Sequence, residues 1–170
     1  MKKIIVAAAI AFVAVVTQAA TFDWSASRVY GADGSLSSAT GYLVLTSAMT
    51  REAALTAVTN GDLASVTGAA VNSASFSAGS MTASAANTFD YNVAAGNSID
   101  AFFVVVDGDK AFLSATASAV AVETGSSTFV FGNQRTATQN PSNWQSVPEP
   151  TTGLLILLGM AGLALKRKVA

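Results

Sequence analysis

The chain has no cysteine and no histidine. Without cysteine it forms no disulfide and carries no thiolate nucleophile and no thiol to take a lipid. Without histidine it has no imidazole base, and both usual kinds of zinc ligand are missing together. A serine nucleophile paired with histidine is therefore excluded. No Gly-x-Ser-x-Gly elbow, Ser-x-x-Lys pair or glycine-rich phosphate cradle takes its place. Proline is also scarce, with three in 170 residues, all after position 140. Charge is low too, at 11% of residues, and unevenly placed. Five of the nine basic residues lie within a few positions of a terminus. Between positions 20 and 146 only Arg28, Arg51, Lys110 and Arg135 oppose nine acids, a formal charge of −5. A body of that sign does not suit nucleic acid, which calls for a basic face.

What the chain has in quantity is apolar residues, 51% of the whole, and the longest apolar runs sit at the two ends. Lys2 and Lys3 precede an uncharged apolar run over residues 4–16, and Thr17-Gln18-Ala19 places small residues where a signal peptidase needs them. A helix of 13 residues reaches only about 20 Å, short of the ~30 Å hydrocarbon core, so a cleaved signal peptide explains the run better than a permanent anchor. The expected junction is Ala19/Ala20, and the implied partners are the Sec translocon and signal peptidase.

The C-terminus repeats these parts in a different order. A polar stretch over residues 140–146 leads to Val147-Pro148-Glu149-Pro150, then to an apolar run over residues 153–165, then to Lys166-Arg167-Lys168. Prolines on either side of Glu149 withhold backbone donors and favour extended chain, which suits a peptide lying in an enzyme groove. The apolar run crosses a bilayer only with snorkelling or local thinning, and the basic triplet holds the end on the cytoplasmic side. The whole tail resembles the sorting domain of exosortase-processed (PEP-CTERM) proteins of Gram-negative bacteria, in which a Pro-Glu-Pro motif, a short transmembrane stretch and a basic terminus occur together. The resemblance covers about 24 residues. It implies export across the inner membrane, transient residence there, recognition by an exosortase and removal of the tail, often beside extracellular polysaccharide. The alternative is an uncleaved tail anchor.

The middle region reads mostly as strands. Phe89, Tyr91 and Val93 alternate with Asp90 and Asn92, and residues 101–106 form a β-branched and aromatic run expected of a strand covered on both faces. Asp107-Gly108 ahead of residues 109–113 predicts a tight hairpin with a type I′ turn. Further strands are expected near residues 22–24, 41–46, 119–122 and 128–131. The stretch 71–87, nearly all small and polar apart from Phe76 and Met81, reads as loops or weak edge strands. Thr50 is placed to cap a helix over residues 51–59 that Asn60-Gly61 ends, and Asp62 to cap a second short turn through Val66. The expected fold is mainly β: an antiparallel β-sandwich of about seven strands with one short helical insertion, between an N-terminal signal helix and a C-terminal transmembrane helix. The expected divisions are a signal peptide at 1–19, an exported body at 20–139, a polar linker at 140–146 and the sorting tail at 147–170.

Candidate chemistry in the middle is thin. Asp107 and Asp109, with Asp100 nearby in sequence, suggest calcium, but a hairpin turn accounts for them better because calcium takes six to eight oxygens. No spacing selects a glycosidase carboxylate pair. Trp24, Trp144, Tyr30, Tyr42 and Tyr91 are expected mainly in the core or at strand ends rather than in a sugar-stacking row. The sequence therefore reads as a non-enzymatic protein of the cell surface or extracellular matrix that needs no cofactor and has extracellular polysaccharide as a partner. The competing reading is a carbohydrate- or calcium-binding surface module.

Overall fold

A computed structural model of the chain describes residues 19–81 and 87–148. The expected signal helix, Glu149, Pro150, the transmembrane stretch and Lys166, Arg167 and Lys168 lie outside the described residues. Strands make up 46% and helices 18%, so the protein is mainly β, as its alternating pattern predicts. No helix among the described residues is long and apolar enough to cross a membrane.

The strands among the described residues are β1 (Ala20–Ser27), β2 (Thr40–Leu45), β3 (Ala70–Ser77), β4 (Ser80–Met81), β5 (Phe89–Tyr91), β6 (Ser98–Asp107), β7 (Lys110–Leu113), β8 (Ala117–Val120), β9 (Ser126–Asn133) and β10 (Trp144–Ser146). The helices are α1 (Arg51–Thr59), α2 (Leu63–Gly68) and α3 (Arg135–Thr138), and a 3-10 turn covers Pro141–Asn143. A three-stranded sheet runs β5-β1-β9 and a larger one β10-β7-β6-β2-β3-β4, with β8 also paired to β6.

The long strand β6 organises the body. One edge pairs with β2, and the other pairs first with β8 and then with β7. Residues 101–105 are buried without interruption because each face of this strand has its own cover. Ala101, Phe103 and Val105 face a core shared with Phe22, Trp24 and Phe129 of the smaller sheet. Phe102 and Val104 face a second core closed by Ala54 and Val58 of α1 and Val66 of α2. Phe103 is the aromatic centre of the first core, 5.7 Å from Trp24 and 4.9 Å from Phe131, ring to ring. The two sheets come close here because Gly41 in β2 has no side chain. A Cβ there would lie 2.7 Å from the Phe76 ring and 3.1 Å from that of Trp24.

Helices α1 and α2 form where the capping pattern places them. Thr50 Oγ1 accepts from the Ala53 amide at 3.1 Å, and Gly61 takes the positive φ of +77° that ends α1. Asp62 caps α2 by accepting from the Ser65 amide. The expectation of one helical insertion is corrected to two packed helices, since the second capped turn runs on through Gly68, and α3 adds a third further along.

Three other expectations change. The pairing is not wholly antiparallel, because β1 and β9 run parallel across a connection that spans most of the body. The hairpin after β6 has Asp107 opposite Lys110, so Gly108 and Asp109 are its central residues. Only Gly108 has positive φ, +60°, which is the pattern of a type II′ turn rather than type I′. Residues 140–146 are not a linker: they form the 3-10 turn and β10, which continues the larger sheet beside β7. Their polar side chains serve local turns, with Asn140 Oδ1 accepting from the Ser142 amide and Asn143 Nδ2 donating to the Ala137 carbonyl.

Candidate functional site

The residues read from sequence as sites fall into separate regions. Ala19 is exposed and Ala20 is buried as the first residue of β1, opposite Tyr91. A cut between them would leave the first strand whole. Pro148 is the last described residue, and the rest of the Pro-Glu-Pro triplet lies beyond it.

The calcium grouping does not assemble. Asp100 and Asp107 are seven positions apart on the same strand, β6, which separates them by about 23 Å. Asp100 accepts from the Ser118 hydroxyl, and Asp107 Oδ2 accepts from the Ala32 amide at 2.7 Å. Among the described residues no group of three or more acids is placed to hold a metal ion. The aromatics do not form a stacking row either. Trp24 and Trp144 are buried, with their indole N–H groups donating to Asn72 Oδ1 and the Thr138 carbonyl, and the three tyrosines are half-buried.

Two acidic side chains have carboxyl pKa values held below the ordinary range by hydrogen bonds. Asp33 is lowered by the Ser35 amide and then by the Ser35 hydroxyl. Asp62 is lowered by the Ser65 hydroxyl and then by the Ser65 amide. Both are loop or cap anchors on the open surface.

Among the surface depressions, one of about 460 Å³ lies between α1, β7 and the 3-10 turn. Arg51, Ser142, Asn143 and Gln145 supply its polar lining above Leu55 and Phe112. Arg51 is held there by its own bonds, with Nε donating to the Ser114 carbonyl at 2.7 Å and Nη2 to the Leu113 carbonyl at 3.2 Å. This groove was not foreseen, because its polar side comes from the segment read as a linker.

The same segment builds the place where the body meets the tail. The Trp144 ring lies 5.7 Å from that of Phe112, its partner in the β10–β7 register, tilted by 46°, and Ser146 stands opposite Lys110. The Val147 amide donates to the Asp109 carbonyl at 2.7 Å, and the Val147 side chain packs against the second core. The Pro148 carbonyl then lies against the turn between α1 and α2, where a Cβ on Gly61 would be only 2.6 Å from it. The body thus holds the chain as far as Pro148, the last described residue.

No curated protein and no solved structure matches the chain. Residues 146–168 match the PEP-CTERM protein-sorting motif. The match begins inside β10 and runs through Pro148, Glu149 and Pro150 into the apolar and basic tail. That motif implies sorting by exosortase to the cell exterior of a Gram-negative bacterium. The chain thus carries a PEP-CTERM protein-sorting domain at residues 146–168, and that domain implies exosortase as its processing partner.

Proposed function

We propose that this protein is a non-enzymatic component of the cell surface or extracellular matrix. The Sec translocon exports it, signal peptidase cuts it at Ala19/Ala20, and the tail holds it in the inner membrane until the exosortase acts near Pro148-Glu149-Pro150. Lys166, Arg167 and Lys168 keep the tail's end on the cytoplasmic side before that step. The observation that carries this reading is the sorting motif at residues 146–168, joined directly to a mainly β body. The absence of histidine and cysteine supports the non-enzymatic part.

Mass spectrometry of the native protein tests it. The expected mature form ends close to Pro148 and lacks peptides containing Lys166. Replacing Pro148 and Pro150 with Ala together should leave export intact and block maturation. Recovery of the uncut tail from the mature protein would establish a permanent anchor instead.

A second reading, a carbohydrate-binding surface module, is favoured by the Arg51 groove. Its guanidinium, amides and hydroxyl over an apolar floor are the groups that bind sugar hydroxyls and acidic sugars. A glycan array probed with wild type and with Gln145→Ala distinguishes the two readings. Binding that falls in the variant supports the module, and no binding at all supports the structural role.

A further inference from the structure

We propose that the body masks the front of its own sorting motif, so that exosortase processing waits for residues 146–148 to come off the fold. The inference rests on the exosortase reading above. Its basis is an overlap: the motif starts at residue 146, and Ser146, Val147 and Pro148, the last described residues, are all docked on the body. Each of the three is engaged differently. Ser146 is in register with Lys110 on the sheet. Val147 donates its amide to the Asp109 carbonyl and packs its side chain against the second core. Pro148 has no amide to donate, and its carbonyl rests on Gly61 closely enough that no side chain fits between.

An enzyme groove that binds an extended peptide needs the same backbone groups and the same space. The two partners therefore compete, and the enzyme's apparent affinity for residues 146–148 is reduced by the fraction of chains in which they are undocked. The mask is a weak one. β10 has three residues and pairs along one edge only, which places this end among the parts of a fold that open locally without global unfolding. It delays processing without preventing it, and gives a chain whose β7 and α1–α2 surfaces have not yet formed an unmasked motif.

The test is made on the full-length chain in cells that contain its exosortase, following the rate of tail removal by pulse-chase. The first variant inserts Gly-Ser-Gly-Ser between Ser146 and Val147, keeping β10 paired but freeing Val147 and Pro148. The second, Gly61→Ala, adds a Cβ beneath the Pro148 carbonyl without lengthening the chain. Its control is Gly96→Ala, which puts Ala at a similar positive φ, +85°, where the Cβ meets nothing within 4 Å. Both test variants should speed processing about fivefold, the factor that corresponds to losing one net backbone hydrogen bond in the docked state. The control should match wild type, and the Val147 amide should exchange faster in Gly61→Ala. Wild-type rates in both test variants, or slower ones, would overturn the mask while leaving the exosortase reading in place. If the wild-type tail is never removed, the exosortase reading itself fails.

Discussion

At the scale of single residues, Ser114 does more than its size suggests. It is fully buried just after β7, and its amide donates to the Phe103 carbonyl at 2.9 Å while its Oγ accepts from the Phe103 amide at 2.9 Å. The hydroxyl hydrogen goes to the Ala115 carbonyl, and the Ser114 carbonyl receives Arg51 Nε. This one residue satisfies β6 at the point where its edge passes from β8 to β7, and it ties α1 to the sheet. Ser114→Ala keeps the volume nearly unchanged but leaves the Phe103 amide buried without its acceptor. The expected loss is about 1–3 kcal/mol, read from the urea midpoint. An unchanged midpoint would mean that the amide finds another partner. Nothing in the sequence around Ser114 marks it, because the bond joins residues eleven apart through a strand switch that only the assembled sheet creates.

At the scale of elements, α1 and α2 were legible, whereas α3 and the sheet edges were not. α1 and α2 announce themselves through Thr50, Asp62 and Asn60-Gly61, which act within one turn of chain and need no tertiary context. The β3–β4 hairpin was hidden because its two-residue turn, Ala78-Gly79, places an alanine at φ +47°, where glycine, asparagine or aspartate would have signalled it. The parallel β1–β9 pair has no local signal at all. The Asp62 cap gives a pH dependence. Its carboxyl is lowered in the folded state by the Ser65 hydroxyl and amide, and returns to the ordinary range on unfolding. Its contribution is present above the ordinary carboxylate range and is lost as pH falls through the lowered folded value. Asp62→Asn keeps an N-cap acceptor but does not titrate. The Ser65 amide should therefore lose exchange protection on acidification in wild type and lose less in the variant. Identical acid profiles would remove this role from Asp62.

At the scale of the whole molecule, the sequence marks the terminal labels and the mainly β class but misplaces the border between body and tail. Hydropathy and proline placement separate residues 147–170 from the rest, yet β10 buries only one large side chain, too little for a sequence pattern to register. That side chain is Trp144, 7% exposed, packed against the Phe112 ring and bonded to the Thr138 carbonyl. Its position limits where the tail can be cut. A product ending at Ser146 or Pro148 retains the β10–β7 pairing and the tryptophan anchor, whereas one ending at Asn143 loses both and opens the side of the first core beside Phe112. Losing a buried aromatic of this size costs about 3–5 kcal/mol, a large part of the 5–15 kcal/mol that holds a typical domain. Residues 20–148 should thus melt cooperatively, and residues 20–143 should melt well below them or fail to fold. Trp144→Ala within 20–148 should lose a similar amount, which separates the side chain's contribution from that of the strand. If the shorter chain is as stable as the longer one, the fold places no limit on the cut. If it is not, the exosortase must act beyond Asn143 to release a stable product, so the mature chain keeps Trp144 and the anchor it provides.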